Sequence, residues 1–129
     1  MYISTGISES PVISGKATAA IENGALLAVK FDANGGIVLA GVGEKAIGIL
    51  ISTTPDSVVA GETVTVQIDD IGLWKTGAAV LAGAELTSDV AGKAVTAVAG
   101  NYVTATALEA GGIDEIIKVQ IEKTGKMPV

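Results

Sequence analysis

Polar and apolar residues alternate most regularly between Gly61 and Trp74, GETVTVQIDDIGLW, where Val64, Val66 and Ile68 interleave with Thr63, Thr65, Gln67 and Asp69. A period of two puts one row on a buried face and the other on solvent, which predicts a half-buried strand. Glu115 to Lys123, EIIKVQIEK, repeats the device with Ile117, Val119 and Ile121 set against Lys118, Gln120 and Glu122. Both segments carry Val-Gln-Ile, at 66–68 and at 119–121. Ala46 to Ser52, AIGILIS, is apolar on both faces, with Ile47, Ile49 and Ile51 on one side and Leu50 on the other, and is expected to be the most buried strand.

Turn signals separate these runs. Leu26 to Phe31 ends in Asp32-Ala33-Asn34-Gly35-Gly36, whose Asn-Gly pair readily adopts positive φ and suits a tight reversal, and Ile37 to Leu39 leads out of it. Asp89 and Gly92 repeat Asp32 and Gly35 at an offset of 57 (89 minus 32, 92 minus 35), and Val119 repeats Val66 at 53 (119 minus 66). The difference falls in connecting loops, where insertions are tolerated. The pattern predicts an all-β domain with an internal duplication, a small clip-like or closed barrel, because closure removes exposed strand edges. Gly72, Gly77 and Gly83 mark a loop-rich region around Trp74, and helical propensity, confined to 78–86 and 103–110, leaves room for one short helix.

Residues 1–20 differ in texture: Ser, Thr and Gly with Pro11, and short apolar clusters at Tyr2-Ile3 and Val12-Ile13. They read as an extended N-terminal arm ahead of a single domain over 21–129, either a frayed end or a segment that orders against something else.

Composition narrows the function. Hydrophobic residues make up 49% of the 129 but aromatics only 3%, so the core is built from small aliphatics and self-association is expected to hide the remaining apolar surface. The net charge is −6 and all eight basic residues are Lys; an acidic surface without guanidinium forks is a poor match for nucleic acid. There is no Cys and no His, which removes disulfides, thiolate metal sites and the commonest general base. No apolar run approaches the ~20 residues of a spanning helix, and the start MYISTGISES lacks the basic and apolar regions of a secretory signal. No membrane partner, cofactor or metal is expected.

The motifs that could carry chemistry are weak. Asp69-Asp70 are strand neighbours and point to opposite faces rather than converging as an acid–base pair. Asp32 to Gly36 lacks the further acids of a calcium loop, and Gly41-Val42-Gly43 lacks the third Gly and the helix of a dinucleotide fingerprint. The hydroxyls of Thr63, Thr65, Thr104 and Thr106 have no ordinary base to activate them. Trp74, beside Lys75 and between glycines, reads either as a cap over one end of the barrel or as an interface anchor.

Taken in order, FDANGGIVLAGVGEKAIGILI, AGETVTVQIDDIGLWKTGAAVLAGAELTSDVAGKAV and ALEAGG resemble the capsid cement, or head decoration, proteins of tailed bacteriophages, over about Ala25 to Ile121. The resemblance implies a β-clip or β-tulip type barrel. It also implies a homotrimer on the exterior of an icosahedral virion, made in the host cytoplasm, that bridges neighbouring major capsid proteins and needs no catalytic group. On that reading Tyr2, Ile3, Pro11, Val12 and Ile13 are the capsid-contacting residues of the arm. Two other classes compete: a phage fibre or surface-adhesion module binding carbohydrate or host, which would want clustered aromatics, and a trimeric β-fold nucleotide hydrolase, which would want a metal-binding acidic cluster and Arg.

Overall fold

The computed structural model describes residues 11–21, 25–51 and 58–128, and among these there are strands and turns but no helix. The first sheet comprises β1 (Val12–Lys16), β2 (Ala28–Phe31), β3 (Ile37–Leu39), β4 (Gly48–Ile51) and β5 (Thr63–Gln67), in the order β1-β5-β4-β2-β3. The second comprises β6 (Asp70–Lys75), β7 (Glu85–Ser88), β8 (Ala94–Thr96), β9 (Tyr102–Ala107) and β10 (Ile116–Lys126), in the order β6-β10-β9-β7-β8. Adding five to each strand number converts the first order into the second, and every strand pairing is antiparallel.

The duplication holds at the level of single residues. Val66 lies opposite Leu50 and Val119 opposite Ala107; Gln67 lies opposite Ile49 and Gln120 opposite Thr106. The two turns are copies as well. Asp32 Oδ1 accepts the N–H groups of Asn34 and Gly36, Asp89 Oδ1 accepts those of Ala91 and Lys93, and Gly35 and Gly92 have φ of 84° and 77°. An Asx-type turn closed by a residue at positive φ needs Asp first and Gly fourth, which is why these two positions recur.

Several expectations are corrected. The stretch from Gly61 to Trp74 is two strands, not one: the chain leaves the first sheet after Gln67 and enters the second at Asp70, which has φ of 67°. Gln67 holds this crossover by donating from Nε2 to the carbonyls of Asp69 and Ile71. Trp74 lies within β6 rather than in a loop, and residues 78–86 form no helix. Neither sheet closes into a barrel by a continuous ladder. Its two edges meet at a single parallel bridge, Ala17 with Ile37 in the first and Thr76 with Ala94 in the second.

The boundary expected at residue 20 also does not coincide with a structural one. Residues 12–16 are β1, paired with β5, and Ala17 and Ile21 are buried in the first core. Lys16 stands opposite Thr63 as Lys75 stands opposite Ile116, an offset of 59 (75 minus 16), so β1 is the first strand of the repeat.

Each sheet has its own core. Val29, Ile37, Leu50, Val64 and Val66 fill the first; Trp74, Leu86, Ile117, Val119 and Ile121 fill the second. The second core also takes Ala28, Ala40, Ala46 and Ile49 from the outer side of the first sheet. This explains why β4 is apolar on both faces: Leu50 points into its own core and Ile49 into the neighbour's, each at most 1% exposed.

Candidate interaction surfaces

The joint between the sheets is built from main-chain bonds. Ala28 N–H donates to the Gly92 carbonyl at 2.8 Å, Lys75 N–H to Leu26 at 3.1 Å, Gly43 N–H to Ser88 at 3.0 Å and Tyr102 N–H to Gly43 at 3.0 Å. The Ser88 hydroxyl donates to the Gly41 carbonyl, and Lys123 Nζ to those of Ile47 and Ile68. Desolvation in this position pulls the Lys123 ammonium below the usual lysine value, against the attraction of Asp69. Small residues at the seam are required here. A Cβ on Gly92 would run into Leu39, and one on Gly43 into Asn101.

Beside this joint the first sheet carries an open, mostly apolar groove of about 620 Å³ lined by Ile13, Phe31, Ala46, Ile47 and Ile68, with Lys45 and Lys123 at its margin. Phe31 is 48% exposed although it ends a core strand. A second apolar strip, Ile71, Leu73, Leu108 and Ile116, lies exposed on and beside β6 and β10, opposite the Trp74 row.

The residues singled out from sequence are scattered. Tyr2 and Ile3 lie outside the described residues. The Pro11 carbonyl accepts the Ile68 N–H, Val12 pairs with Gln67 and Ile13 with Val66, so these three belong to the first sheet, and Ile13 contributes its side chain to the groove. Trp74 is fully buried and its indole N–H donates to the Gly92 carbonyl at 2.9 Å. It is neither an end cap nor a surface anchor but the largest piece of the second core. Sequence reasoning missed the groove; its one signal was Phe31, an aromatic placed directly before the turn.

No acid–base arrangement is assembled by the weighed groups. Asp69 and Asp70 are exposed at the crossover. Thr106 Oγ1 lies 3.4 Å from the Glu122 carboxylate, while the hydroxyls of Thr87 and Thr104 are buried without a hydrogen-bond partner. Among the described residues no group of three or more Asp, Glu, His or Cys could hold a metal, and no helix is long and apolar enough to cross a membrane. The carboxylates that are shifted serve structure. The Thr18 hydroxyl and then the Gly36 and Asn34 N–H groups hold Asp32 below its usual value, a bond from Lys30 does the same for Glu44, and one from Lys93 for Asp114.

With this geometry in view, the comparison with solved structures is informative. The fold is shared with the N base of the head fibre protein gp8.5 of bacteriophage phi29, with a TM-score of 0.65 and 17% sequence identity over 92% of this chain and 98% of that one. At that identity the likeness is one of fold, and it spans both sheets rather than a single repeat. No protein-family model matches the chain, and no curated protein matches it.

Proposed function

We propose that the chain is a structural protein of a phage head, bound as a homotrimer to the outer surface of the capsid, where it bridges neighbouring major capsid proteins. The observation that carries this reading is the fold shared, over 92% of the chain, with a phage head fibre base. Other features agree with it. All eight basic residues are Lys and the net charge is −6, and four of the described acidic residues, Asp32, Glu44, Asp89 and Asp114, are used in turns and surface ion pairs. Two cores joined by main-chain bonds make a stiff element without disulfides.

On this reading the mechanism is mechanical. A trimer that grips several capsid subunits must release them together, so modest contacts gain strength through multivalency. Tyr2 and Ile3, ahead of edge strand β1, are the apolar anchors, with Pro11 and Val12 leading from them into the sheet. Virions assembled without the protein should lose their DNA at a lower temperature than complete virions; equal release temperatures would contradict bridging.

A second reading has the same observation in its favour, since the structural neighbour is the base of a head fibre. The chain would then seat or form part of a fibre that meets carbohydrate or host. That reading predicts capsid binding with no change in release temperature, so the same experiment separates the two.

A further inference from the structure

The joint between the two sheets is heterologous: the side of the first sheet that carries Leu26, Ala28, Gly41 and Gly43 meets a different side of the second, carrying Lys75, Ser88, Gly92 and Tyr102. Carrying each residue across the duplication, the second sheet presents Gly83, Glu85, Val98 and Gly100 where the first presents the former set. The first sheet presents Lys16, Phe31, Gly35 and Lys45 where the second presents the latter set. Neither of these counterpart sides is used within the chain in the same way: the bonds corresponding to Ala28 with Gly92 and Lys75 with Leu26, which would join Glu85 to Gly35 and Lys16 to Gly83, are not made. Both sides are open, Val98 being 62% and Phe31 48% exposed.

We infer that a second copy of the chain docks here, placing the Gly83–Gly100 side of its second sheet on the groove side of the first sheet and so repeating between chains the joint that exists within each one. The occupant is a copy of this chain because the joint to be repeated is already on display in it. Charge agrees, since Glu85 replaces Ala28 on one side while Lys16 and Lys45 lie on the other. The counterpart of the Ser88–Gly41 contact sets Val98 against Phe31 beside the apolar groove, so an apolar contact between two exposed side chains stands where the internal joint has a hydrogen bond between small residues. One donor is already taken: Gly100 N–H binds the Met127 carbonyl, so the incoming chain meets the end of β10 there.

A heterologous contact either closes into a ring or runs on as a filament. The trimer of the preceding reading, on which the number of copies rests, would close it as a ring of alternating first and second sheets.

The chain has no cysteine, which makes a crosslinking test clean. Phe31→Cys and Val98→Cys proteins with different tags would be co-expressed, purified through both tags and treated with a short bismaleimide. Covalent dimers are expected between one protein of each kind, and not in samples that hold a single variant. The unsubstituted protein should show a mass above the 12.8 kDa of one chain by light scattering. Val98→Asp should lower that mass without changing the circular dichroism spectrum. The inference is overturned if the unsubstituted protein is a monomer, if the mixed sample does not crosslink although both cysteines are labelled, or if single-variant samples crosslink equally well. Loss of capsid binding with crosslinking intact would refute the proposed function and leave this interface standing.

Discussion

Gly15 and Trp74 occupy the same place in the two repeats, and their difference in size is balanced inside each core. A Cβ on Gly15 would press on Ile37, whereas the residue corresponding to Ile37 beside Trp74 is Ala94; likewise Leu50 corresponds to Ala107. Cores tolerate such exchanges when total volume is kept. Trp74→Ala should therefore cost about 3–5 kcal/mol in chemical denaturation. Ala94→Ile should cost about 1–3 kcal/mol by overpacking. The double variant should be more stable than the sum of the two losses, because one change vacates what the other fills; additive losses would contradict the pairing. None of this was legible in sequence, since seeing Trp74 as the partner of Gly15 requires knowing that residues 12–16 are a strand. The shifted carboxylates give a pH prediction at the same scale. Asp32, Glu44 and Asp114 are held below ordinary values of 3.8, 4.5 and 3.8, so their stabilisation is present above those values and is lost as pH falls through the lower folded ones. The melting temperature should be flat from neutrality to about pH 5 and fall below about pH 4. A decline that begins near neutrality would contradict it.

The two Asp-x-x-Gly turns show how one local structure acquires two roles. Turn 32–36 closes the β2–β3 hairpin in solvent, whereas the Gly92 carbonyl of turn 89–93 receives both the Ala28 N–H and the Trp74 indole. Asp89→Ala should therefore destabilise by roughly 1–3 kcal/mol, since it loosens a buried acceptor with two donors, and Asp32→Ala by clearly less. Equal effects in urea denaturation would show that the docking of the turn is unimportant. Both turns were visible from their Asp and Gly spacing; that only the second is buried depends on what packs against it. The strand break at 68–70 was hidden for a related reason. The alternation slips by one residue at Asp69-Asp70, a signal that also fits a solvated strand end, and the sharp backbone is taken by Asp70 rather than by a Gly or Pro that would have announced it. β1 was missed because its apolar content is only Val12 and Ile13, and its place is set by pairing with β5. Removing residues 1–10 should leave the thermal transition in place, while removing 1–20 strips an edge strand and uncovers the first core, giving a broadened or absent transition. An unchanged transition in the longer deletion would contradict the role of β1.

At the scale of the molecule, all-β class and duplication were readable because the repeated turns and the repeated Val-Gln-Ile recur in the same order at offsets of 57 and 53, close enough for one repeat with loops of different length. The arrangement of the two sheets was not, because the residues that join them, Ala28, Gly43, Ser88 and Gly92, are small and nothing in their spacing shows which of them meet. What remains is a duplicated, non-closed β structure with a fold shared with a phage head fibre base, an apolar groove beside its first sheet and a Tyr2-Ile3 pair ahead of β1 in sequence. Co-sedimentation of the purified protein with emptied, expanded phage capsids tests the proposed capsid binding. If the proposed function holds, trimers bind saturably at a fixed ratio to the major capsid protein, and binding is lost on deletion of residues 1–10. Protein that stays in the supernatant at all ratios would contradict it.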